Sequence, residues 1–220
     1  MTSSVDICNM ALAHIRAGNI NSLTEASTQA FYCKLFYETC RDQCLEDAPW
    51  GFNTRVSPLA LLDSDEYSVF NYAYVYQYPS DCIRIERLVR DFEEITPGSS
   101  ASNRVYPIPG YPVQDFNTRV PYEIFDIDGT TVIGANESAL RVKYATKTTD
   151  VNKFSSAFKL ALSRLLASNI AVAIAGEEKG DKLMNKQLSL YQKLINNAVA
   201  NELNQRHTVV PDSEFITVRN

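Results

Sequence analysis

Apolar residues recur every three to four positions at both ends of the chain and every second position in its middle. Near the N-terminus, Cys8, Ala11, Leu12 and Ile15 share one helical face; Ser3 or Ser4 can cap a helix over residues 4–17, and Gly18 can stop it. After a connector at 20–25, Ala30, Cys33, Tyr37, Cys40 and Cys44 repeat at spacings of 3, 4, 3 and 4. That pattern predicts a longer helix from Ser27 to Pro49. Trp50 and Phe52 follow at the corner, where they are expected to plug the base of a core.

From Asn53 the period moves toward two. Residues 55–60 predict a strand, and Pro58, which has no N–H to give a ladder, places it at a sheet edge. Tyr72, Tyr74, Tyr76 and Tyr78 alternate without a break, so all four are expected on one face of a strand. The face reads as an aromatic layer packed on helices or on a neighbouring subunit; a stacking platform for sugars or bases is the sharper alternative. Residues 82–89 predict the next strand. Five prolines and two glycines between 97 and 121 exclude a helix and predict a long excursion that touches a neighbour. Residues 123–127 and 131–133 flank Asp128-Gly129, a tight-hairpin signal, and 140–144 alternate again.

The helical period returns over 153–175, with Phe154, Phe158, Ala161, Leu165, Ser168 and Val172 on one face and enough alanine to let another helix approach closely. Residues 176–180 predict a turn. A fourth helix over 181–204 sets Met184, Leu188, Tyr191, Ile195 and Ala198 on one face, and Leu183, Leu190 and Leu194 widen it beyond what one partner helix covers. From Arg206 fifteen residues follow without a helical period. Phe215, Ile216 and Val218 make this tail too apolar to be a solubilising one, and it is too short to build a core. It needs another surface to lie on. The fold class is α+β: a four-helix bundle from the N- and C-terminal segments (1–52 and 151–205), an inserted antiparallel β domain (53–150) and an extended C-terminal arm (206–220).

A net charge of −5 over 220 residues argues against a sequence-independent DNA binder, which needs a basic stripe, but suits a wall past which DNA slides. The N-terminus has no basic region followed by an apolar core, and the densest apolar run, 170–175, is too short to span a bilayer. The chain is therefore expected to be soluble and made in a cytoplasm. Its cysteines, Cys8, Cys33, Cys40, Cys44 and Cys82, are odd in number and read as reduced, buried thiols. Cys40 and Cys44 lie one turn apart. A zinc site wants about four ligands, and His14 and His207 are the only histidines, so no metal or cofactor is expected.

Catalytic motifs are absent from the sequence: there is no phosphate loop, no dinucleotide fingerprint and no nucleophile elbow. Asp126-x-Asp128-Gly129 shares the start of a calcium loop but lacks its later ligands. Three carboxylate pairs could serve a glycosidase: Glu93–Glu94, Asp126/Asp128 and Glu177–Glu178. All fall in loops, turns or helix ends, where solvated carboxylates are common.

The order of segments resembles the podovirus head-to-tail adaptor family, also called tail tubular protein A. The resemblance rests on Asn9-Met10-Ala11-Leu12-Ala13, on Ile20-x-Ser22-Leu23-x-Glu25, and on a helix ending at Trp50-x-Phe52. It continues through Tyr74-x-Tyr76-x-Tyr78-Pro79-Ser80-Asp81-Cys82-Ile83-Arg84 and the hairpin from Tyr122 through Asp128-Gly129 to Tyr144. It ends with Leu165-x-Ala167-x-Asn169-Ile170-Ala171, Leu188-x-x-x-Tyr191 and the closing Asp212-Ser213-x-Phe215-Ile216-x-Val218-Arg219. The 97–121 excursion does not match. The resemblance implies a non-enzymatic ring of twelve copies beneath the portal of a short-tailed phage. That ring would join the capsid to the tail nozzle and fibres and line the channel through which the genome passes without being read. Its expected partners are further copies of itself, the portal, the nozzle and the fibres, with no membrane, and its location is the virion. Phe215, Ile216, Val218 and Arg219, with Tyr72, Tyr74 and Tyr76, are the expected partner-binding residues. The alternative is a tail-associated glycan hydrolase using a surface carboxylate pair.

Overall fold

The computed structural model describes residues 3–63, 67, 69, 71–90 and 120–205, with the side chains of 202–205 left out. Among the described residues it is a mixed α+β structure with four α-helices and two small antiparallel sheets. The helices are α1 (Ser4–His14), α2 (Thr28–Asp47), α3 (Ser156–Ala175) and α4 (Glu177–Gln205). The strands are β1 (Thr54–Pro58), β2 (Tyr74–Gln77), β3 (Cys82–Arg90), β4 (Tyr122–Ile127), β5 (Thr130–Ala135) and β6 (Leu140–Thr146). One sheet has the order β1-β6-β3, which puts Pro58 on an edge strand; the other has the order β2-β5-β4. The chain divides into two compact units. The first holds residues up to 55, 81–84 and 145–205; the second holds 56–80 and 85–144.

In the first unit, α3 packs on α1, α2 and α4 alike. Its apolar face (Phe158, Ala161, Leu162, Leu165, Leu166, Ile170) is sealed among the buried faces of the other helices. By length and composition α3 could cross a membrane, but more than half of it is buried inside the protein. Trp50 closes one end of the core: its ring meets Phe158 edge-on at 5.2 Å, and Nε1 donates to the Cys44 carbonyl at 2.7 Å. Cys8, Cys33, Cys40 and Cys44 are all buried here as free thiols.

The helix ends follow local chemistry. Ser3 and Asp6 form a capping box on α1, Ser27 caps α2, and Ser155 caps α3 after a single 3-10 turn at Val151–Lys153. At the C-terminus of α1 the stop lies earlier than Gly18. Ile15 is the C-cap, Arg16 takes φ 60°, and Ala17 N–H bonds to the Leu12 carbonyl while Arg16 N–H bonds to that of Ala13. This is a Schellman ending with arginine where glycine is usual.

Between α3 and α4 the turn is Gly176 alone, at φ 79°, and α4 begins at Glu177 rather than Asp181. Gly180 is therefore helical. A Cβ there would lie 2.5 Å from the Cα of Val172, so its bare backbone is what allows α3 and α4 to pack so closely. On α4, Tyr191 and Gln187 are buried and Leu183, Met184, Leu194, Ile195 and Ala198 pack against the core, whereas Leu188, expected on the same face, is exposed.

In the second unit, β2 and β4 flank β5. The register sets Tyr76 opposite Ile133 and Ile133 opposite Ile124. Asp128 and Gly129, at φ 50° and 83°, form the two-residue turn between β4 and β5, and Asp126 Oδ1 accepts from the Gly129 N–H at 3.0 Å.

Candidate interaction surfaces

The four tyrosines do not share a face. Tyr76 is 1% exposed, and its hydroxyl donates to the Glu137 carbonyl at 2.7 Å. It is a core residue of the second unit. Tyr72 precedes the strand, so the alternation that aligned it with Tyr76 does not apply. Its ring lies over Gly134 and meets Phe125 edge-on at 5.7 Å. Gly134 and Ile133 are neighbours on β5 and face opposite ways, so Tyr72 and Tyr76 lie on opposite faces of the sheet. Tyr74 is half-buried at the start of β2. Tyr72 and Tyr74, with Leu61, Asp63 and Tyr67, line a groove of about 400 Å³ within this unit. The other named tail residues, Phe215, Ile216, Val218 and Arg219, and the excursion 97–119, lie outside the described residues.

Exposed apolar side chains mark surfaces that the period analysis passed over. On α2, Phe31 is 62% and Leu35 55% exposed, one turn apart on the side away from the buried cysteines. They adjoin a groove of about 540 Å³ that Leu23, Thr28, Phe31, Tyr32 and Lys34 help to line. On β4, Ile124 is 49% exposed. The signal was in the sequence: an apolar residue on the face of an amphipathic helix where a polar one belongs.

Asp126 staples the β4–β5 turn, and Glu177 and Glu178 are exposed in the first turn of α4, where Glu178 meets Lys182 at 3.4 Å. Glu93 and Glu94 lie outside the described residues. Among the described residues no group of three or more His, Cys, Asp or Glu side chains is placed to hold a metal. Burial pushes the Cys40 thiol up to about 12, against a hydrogen bond from Asn169 Nδ2 at 3.4 Å, and burial also raises Cys44. Cys8 is raised by its hydrogen bond with Cys33 and then by burial. These thiols stay protonated and are poor ligands and nucleophiles.

His14 is the one described histidine. Its Nε2 lies 3.2 Å from Ser163 Oγ, whose own hydrogen goes to the Leu160 carbonyl at 2.8 Å. The imidazole is thus the donor, and the pair is not a serine–histidine nucleophile. Gln187 ties the cluster together, donating to the His14 carbonyl at 3.3 Å and accepting from Arg164 at 2.7 Å.

No protein-family model matches the chain, and no curated protein matches it either.

Proposed function

We propose that this protein is a structural adaptor of the podovirus head-to-tail type, acting by assembly rather than by catalysis. The observation that carries the reading is the exposed apolar pair Phe31–Leu35 on α2, with Ile124 exposed at a second place, on β4. A ring is built from heterologous contacts, so each subunit must present two different adhesive surfaces. Exposed apolar clusters are the usual mark of such surfaces.

In this reading the four helices form a bundle that serves as the wall of the ring. Twelve copies sit beneath the portal, hold the genome exit channel and present a platform for the nozzle and fibres. The protein belongs to the virion and is put together in the host cytoplasm. The C-terminal arm, with Phe215, Ile216, Val218 and Arg219, docks on the portal or on the adjacent subunit. Burying its large side chains contributes about 1.5–3 kcal/mol each, which offsets the cost of ordering it.

Electron microscopy of the protein alone and mixed with its portal tests the reading. A closed ring seated on the portal is expected, and removal of residues 208–220 is expected to leave a folded protein that no longer joins. Particles that remain monomeric in both samples would overturn it.

A further inference from the structure

Strand β4 is an outer strand of its sheet and, among the described residues, pairs only with β5. The turn determines which of its backbone groups point outward. Positive φ at both Asp128 and Gly129 defines a type I′ turn, in which Ile127 and Thr130 form a hydrogen-bonded pair. Pairs alternate from there. Phe125 and Glu123 direct their N–H and C=O groups to β5, and Ile124 and Asp126 direct theirs to the open edge.

At Ile124 an outward-facing backbone coincides with an exposed apolar side chain. The row Tyr76–Ile133–Ile124 crosses the sheet, buried at the first two positions and 49% exposed at the third. Strand β4 carries neither lysine nor proline, the residues that commonly protect an edge from pairing.

Fifteen residues, 206–220, follow α4 beyond the described part of the chain. Within them Glu214-Phe215-Ile216-Thr217-Val218-Arg219 is a run of strand-forming side chains that follows Pro211 and contains no glycine. A strand of that length takes about 20 Å. Residues 206–213 remain as a spacer that reaches up to about 28 Å when extended.

We propose that the tail of one copy adds to the β4 edge of a neighbouring copy as the fourth strand of its β2-β5-β4 sheet. The outward N–H and C=O groups of Ile124 and Asp126 give main-chain hydrogen bonds, and Phe215 or Ile216 covers Ile124. The proposal rests on the ring reading above, in which the arm leaves its own subunit.

Cysteine pairing tests it in the full-length chain, with Cys82→Ser to lower the background. Ile124→Cys and Ile216→Cys variants are mixed under diamide. A disulfide-linked mixed dimer is expected in excess over either variant alone. Ile124→Pro, which removes an outward amide and leaves the β5 ladder intact, is expected to keep the circular dichroism spectrum and lose self-association. No mixed dimer, with self-association still lost on removal of 206–220, overturns the strand proposal and leaves the ring reading standing. A cross-link of monomer mass in the double variant, with none between the single variants, places the tail on its own subunit and also overturns it. If removing 206–220 changes neither self-association nor portal binding, the arm reading fails as well.

Discussion

Asn9 grips Ile20 with both ends of its side-chain amide: Oδ1 accepts from the Ile20 N–H at 2.8 Å, and Nδ2 donates to the Ile20 carbonyl at 3.0 Å. Ile20 is buried, so its backbone has no water to turn to. Asn9→Ala is expected to strand both groups and cost about 1–3 kcal/mol. Urea unfolding followed by circular dichroism measures it; an unchanged midpoint would show that the clamp contributes nothing.

Arg16 does at φ 60° what glycine does without steric cost. Its side chain is exposed, so little packing is lost with it. Arg16→Gly is expected to raise stability by about 0.5–1 kcal/mol, read as a higher melting temperature.

Gly180→Ala tests the closeness of α3 and α4. The new methyl would sit 2.5 Å from the Val172 Cα, which is backbone and cannot swing aside. A loss of about 1–3 kcal/mol is expected. Glycine-to-alanine in an open helix would instead stabilise by up to about 1 kcal/mol, so the sign alone decides.

His14 gives the helical unit a pH response. Burial first, and the Arg164 charge second, lower it from its ordinary 6.5 to about 4. The folded state thus prefers the neutral ring. Its contribution is complete above pH 6.5, declines as the pH falls below 6.5 and levels off below about 4. The ring is only partly buried, so solvent screening holds the loss to about 1–2 kcal/mol. Melting curves at pH 7.5 and 5 check it: the drop is expected to shrink in His14→Gln.

Phe31 and Leu35 are exposed, so replacing both with serine is expected to change folding stability by less than about 0.5 kcal/mol each. Self-association, followed by sedimentation velocity, is expected to weaken. Unchanged association would remove this patch from the assembly surfaces.

The helices were legible because their buried faces are long and periodic: Cys8 to Ile15 and Ala30 to Cys44 settle two of them without any tertiary information. Glycine was the misleading residue. Gly18 looked like a stop, but Arg16 performs that role; Gly180 looked like part of a turn, but it is a contact between helices. The tyrosine alternation failed because parity holds only inside a strand, and Tyr72 lies before β2 begins. Phe31 and Leu35 were passed over because a period search looks for the face that is buried and ignores anomalies on the other one.

The Asp128-Gly129 turn settles more than a change of direction. Along β4 it sorts residues by odd and even number, assigning one set of amides to the sheet and the other to whatever lies outside it. A slip of one residue would hand the open edge to Glu123 and Phe125 and turn Ile124 inward. What this molecule can offer a neighbour at Ile124 is thus decided further along the chain, at Asp128 and Gly129, by two residues that need never touch that neighbour.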